Sequence, residues 1–155
     1  MARVSVEVPA ELVGPIRETV LLLYQATAES LGLSLRAHSE RRGSLEEVRA
    51  HRARLAQLDE LAGSLGWHCG TGPGGSGSAP PAPGSAPPAP RRLNAPAELL
   101  HDAFYGALID AGERLALTTD RAWRDELPLE RVQQAAAEVL ALHRLLRLLE
   151  SLTSD

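Results

Sequence analysis

The chain has 155 residues, 20 acidic and 16 basic, for a net charge of −4, and that sign gives neither nucleic acid nor an anionic membrane the basic face such partners favour. All the basic residues are arginine, which excludes a Schiff-base lysine, a lysine-bound cofactor aldimine and a P-loop lysine. The one cysteine, Cys69, has no partner for an internal disulfide, the N-terminal segment lacks a signal-type apolar run, and the run Val20 to Tyr24 is too short to span a bilayer, so the expected location is the cytoplasm.

In chain order, Val4-Ser5-Val6-Glu7-Val8 alternates apolar and polar residues, which predicts a short N-terminal strand or extended arm. Val13, Ile16, Val20, Leu23, Thr27 and Leu31 then step by threes and fours along one helical face, with Pro15 near the end of the first turn and Gly32 where a glycine commonly ends a helix. A second helix opens on Ser44 and Glu47, in capping-box spacing, follows Leu45, Val48, Leu55, Leu58 and Leu65, and stops near Gly66. One strand followed by two helices resembles the element order of the ribbon-helix-helix DNA-binding proteins over about the first sixty residues. The resemblance implies a base-reading face at Ser5 and Glu7, where Glu7 would repel phosphate; the corresponding segment Arg91 to Ala95 reads as non-alternating.

From Cys69 to Pro90 the chain is almost wholly Gly, Ser, Ala, Pro and Thr, which have no large apolar side chain to bury, so residues 69–92 are expected to be a disordered linker between hairpins at 1–68 and 93–155. The stretch Gly70 to Gly75 matches the dinucleotide fingerprint in letters, but lacks the strand and helix that give it meaning. Beyond it, Pro96-Ala97-Glu98-Leu99 repeats Pro9-Ala10-Glu11-Leu12, and Leu129-Glu130-Arg131-Val132 follows Leu45-Glu46-Glu47-Val48, at offsets of 87 and 84. These repeats predict a tandem duplication, with the three-residue difference assigned to the loop inside each hairpin. A third helix is expected from Ala97 to Thr118 and a fourth from Glu126 to Leu152, with Pro128 tolerated in its first turn. Each hairpin alone leaves apolar surface uncovered, so the expected fold is an all-α four-helix bundle of two duplicated hairpins.

Three groups of residues carry the functional expectations. Glu98 and His101 have the spacing of two metal ligands on one helical face, but the duplicate pair ends in Gly14, and Trp67-His68-Cys69 is too short a set for zinc, so no metal or other cofactor is expected. On a helical wheel His51, Asp110 and Arg114 fall on apolar stripes and would converge inside the bundle as a ligand-binding cluster; if the third helix turns toward Phe104, Leu108 and Leu115 instead, the last two become a rim ion pair. The fourth helix widens its apolar arc with Leu148 and Leu152 beside Leu145, which predicts an interface there unless the Val4, Val6 and Val8 arm covers it. The expected function is non-enzymatic: binding to another protein or to a second copy. A ligand-binding bundle and a ribbon-helix-helix-like regulator are the alternatives.

Overall fold

A computed structural model describes residues 2–67 and 89–154. Its elements run β1 (Arg3–Val8), α1 (Ala10–Ser39), α2 (Leu45–Ser64), β2 (Arg91–Pro96), α3 (Ala97–Trp123) and α4 (Leu129–Thr153). The described residues are 77% helical, a four-helix bundle of two duplicated hairpins with a short two-stranded ribbon. Among the described residues no helix is long and apolar enough to cross a membrane. Most of the expected linker, the fingerprint-like glycines, His68 and Cys69 lie outside the described residues.

The second strand corrects the reading of Arg91 to Ala95 as non-alternating. β1 and β2 pair antiparallel, with Val6 opposite Leu93 and Val4 opposite Ala95. Leu93 and Ala95 point inward and Asn94 outward, a true period of two hidden because Ala95 is small and Pro96 follows it. The second repeat therefore begins with Arg91 and Arg92 in a strand, ahead of the expected boundary at 93. Each strand also lies against the second helix of the other hairpin: β1 packs on α4 and β2 on α2. Val6, Val8, Leu93 and Ala95 thereby join a core shared by both halves.

The turns inside the hairpins establish the duplication in backbone detail. Arg41 and Asp125, 84 residues apart, both have φ of 60°. The N–H groups of Glu40, Arg41 and Arg42 donate to the carbonyls of Arg36, His38 and Ala37, while those of Arg124, Asp125 and Glu126 donate to Asp120, Ala122 and Arg121, the same pattern at the same offset. The three-residue difference is therefore not in the loop, as the sequence suggested, but inside the first helix of each pair: α1 has 30 residues and α3 has 27.

Two helix ends also differ from expectation. Gly32 does not end α1, which continues to Ser39; packing of Thr27 and Ser34 against the bundle outweighs a propensity cost of about 1 kcal/mol. α3 likewise runs past Thr118 to Trp123, and Pro128 is the cap before α4 rather than part of its first turn. Gly66 behaves as expected: at φ +84° it follows the α2 cap residue Leu65, and the Trp67 N–H reaches back to the Ala62 carbonyl. Ser44 caps α2, its hydroxyl accepting from the N–H groups of Glu46 and Glu47.

The bundle is held where α1 and α3 cross. A Cβ placed on Gly106 would lie 2.7 Å from Thr19 Cγ2, and the Thr19 hydroxyl is tied to the Pro15 carbonyl, so the methyl cannot swing away freely. Gly106→Ala is expected to destabilise the wild type through overpacking. On a Thr19→Ala background the same change should stabilise, because only the helix-propensity gain of about 1 kcal/mol remains. Denaturant midpoints of the four proteins give the coupling, on the order of 1–2 kcal/mol; an equal effect on both backgrounds would show that the crossing yields instead.

Candidate functional site

Asp110 and Arg114 are brought together as an i,i+4 ion pair of 2.7 Å, and Arg114 reaches on to Glu138 of α4 at 2.5 Å. Asp110 is exposed, because α3 turns Phe104 into the core with Leu108 packed against it. His51 is half-buried on α2, and among the described residues no hydrogen bond or ion pair joins it to the other two. The pair and its α4 partner thus form a rim network whose charges satisfy one another, worth little energy at the surface.

Glu98 and His101 border an open cleft of about 410 Å³ with Arg54, Asp102 and Glu150. Its guanidinium is already engaged, Arg54 to Asp102 at 2.9 Å, and the His101 ring stacks on Tyr105 with centroids 5.7 Å apart. Among the described residues there is no group of three or more His, Cys, Asp or Glu side chains that could hold a metal ion.

The solvent face of the ribbon carries Arg3, Ser5, Glu7, Arg92 and Asn94. Arg3 is turned onto Glu60, at 2.7 Å, and onto the Asn94 carbonyl, while Glu7 sits opposite Arg92. The helices that leave the ribbon add Glu11 and Glu98 in their first turns. Carboxylates stand beside Arg3 and opposite Arg92, so phosphate approaching either would meet repulsion beside attraction.

Of the residues expected at an interface, Leu145, Val6 and Val8 lie in the core and Val4 packs partly against it. The arm thus covers the inner part of the strip. Leu148 and Leu152 remain open, each 47% exposed.

A larger apolar surface lies elsewhere. Tyr105 and Ile109 of α3, Leu129 and Leu140 of α4, and Trp123 at the hairpin tip are all exposed, Trp123 at 89%. On the helical period these residues fall on the side of α3 and α4 turned away from the shared core. In α3 they form a second heptad seam, Tyr105, Ile109, Gly112, Ala116, Thr119 and Trp123, with small residues in its middle. The first hairpin differs at the matching positions. Tyr105 corresponds to Glu18, Trp123 to Ser39 and Leu140 to Ala56, while Ile109 and Leu129 correspond to Leu22 and Leu45, both also exposed. Leu22 and Leu33 are exposed there too, but Glu18, Gln25, Glu29 and Arg36 break up that face, and Gln25 hydrogen-bonds Glu29. The helical wheel that shows the inner stripe of α3 also displays this second stripe, masked in the sequence by the small residues at its middle.

No protein family, curated protein or solved structure matches this chain.

Proposed function

We propose that the chain is a non-enzymatic cytoplasmic protein that works by binding a polypeptide, a second copy or another protein, through the outward face of α3 and α4. The observation that carries this reading is the difference between the duplicates. Both hairpins meet the same folding demands, so an outer face broken up by charge in one and made more apolar, with two aromatics, in the other answers a demand other than folding. Exposed apolar side chains gain nothing in the free chain and oppose solubility; covered by a partner, an aromatic such as Trp123 is the kind of anchor that contributes about 2 kcal/mol or more. The interleaved charges on the ribbon support a protein rather than a nucleic-acid partner.

The test is a photo-crosslinking side chain placed at Ile109 or, as control, at its duplicate Leu22, in living cells. An adduct is expected from position 109 and far less from position 22. Equal yields at the two positions, or none at 109, would remove the face from the reading.

A further inference from the structure

The ribbon has two outer edges, and they are not alike. The Ala97 N–H donates to the Ala2 carbonyl, which continues the ladder and fixes its alternation: the even-numbered residues of β1 bond across to β2. The N–H and carbonyl groups of Arg3, Ser5 and Glu7 therefore point away from β2, and those of Arg92, Asn94 and Pro96 point away from β1. On the β2 side, Pro96 has no N–H to offer and the Asn94 carbonyl already accepts from the Arg3 guanidinium. Proline and charged side chains are the usual means of closing a strand edge. The β1 edge has no such closure. Its three residues are exposed, and among the described residues no hydrogen bond reaches their six outward backbone groups.

Laid antiparallel on its own copy about a two-fold, β1 can use all six groups in one register only, with Ser5 opposite Ser5 of the second copy. That register sets Arg3 beside Glu7 of the second copy on the solvent face, and Val4 beside its Val6 on the inner face. Full use of the edge and pairing of opposite charges thus select the same register. Val4, only partly buried in one chain, gains cover, and α4, on which β1 packs, still exposes Leu148 and Leu152. We infer that β1 pairs with β1 of a second copy, Ser5 against Ser5, so that two ribbons join into one four-stranded antiparallel sheet. The contact uses no residue of the outward face of α3 and α4, and its loss would leave the role proposed for that face untouched.

Amide hydrogen exchange on the full chain, followed residue by residue by NMR, reads the contact without any substitution. The amides of Arg3, Ser5 and Glu7 should be protected in concentrated solution and exchange about tenfold faster or more on dilution, while those of Val4, Val6 and Val8 stay protected throughout. Sedimentation should show the wild type as a dimer at the higher concentrations. Ser5→Pro removes only an outward N–H, which an edge strand tolerates. Present in both strands at the axis, it should raise the dissociation constant about a hundredfold with circular dichroism unchanged. Arg92→Pro, at the duplicate position on the closed edge, should leave the dimer intact. Should Ser5→Pro misfold, the exchange pattern of the wild type decides. A wild type monomeric at every concentration, or exchange at Arg3, Ser5 and Glu7 that ignores concentration, overturns the pairing. So does a dimer that survives a folded Ser5→Pro, or one lost equally in a folded Arg92→Pro.

Discussion

Phe104→Ala should lower the unfolding free energy by about 3–5 kcal/mol, a large part of the stability of a domain this size. Phe104 is fully buried and heads the largest side chains of the core, packed among residues from both hairpins. Removing the ring forfeits its transfer free energy and leaves a cavity that four helices and a ribbon cannot readily close. Its duplicate, Arg17, is exposed, so Arg17→Ala should stay within about 0.5 kcal/mol of wild type. Urea titrations of the two variants make the comparison. A Phe104→Ala loss below about 1 kcal/mol would mean that the ring does not sit in the shared core.

An effect at least as large is expected from Leu93→Asp. Leu93 is fully buried opposite Val6 in the ribbon, and an unpaired carboxylate there would have to shed its water with no cation to receive it. The variant should be largely unfolded by circular dichroism. Asn94→Asp, one residue along, points to solvent beside Arg3, whose Nε already donates to the Asn94 side chain at 3.4 Å, and should be near neutral. The contrast tests the strand period itself: equal tolerance at 93 and 94 would show that residues 91–96 do not form an inward-facing strand.

What could be read from the residues depended on how much side-chain size differs between the two faces of an element. The stripes of α1 to α4 stand out because leucine, isoleucine and valine alternate with charge, and the repeated Pro-Ala-Glu-Leu marks both hairpin starts. β2 escaped because Ala95 fills an inward place without the bulk that flags a strand, and Pro96 ends the run. Gly32 misled because local propensity is small beside tertiary packing along a 30-residue helix. The extra three residues of α1 were assigned to a loop because a helix lengthened by nearly one turn keeps its apolar period and shows no seam. For the site, the wheel aligned Asp110 and Arg114 with the inner face of α1. Arg114 instead bridges Asp110 and Glu138 at the rim, a choice made by the rotation of α3 about Phe104, which no single-helix pattern fixes.

The contact between Thr19 and Gly106 has a meaning in terms of symmetry. The two residues occupy matching places in the repeats, so they sit where the internal two-fold of the molecule passes between α1 and α3. In an assembly of two identical chains, a residue on the axis faces its own twin, and any change there is made twice at one point. Two threonines would crowd and two glycines would leave the crossing loose. Joining both halves in one polypeptide frees each side to differ, and the chain uses that freedom at the axis: one copy supplies the methyl, and the other supplies the room for it.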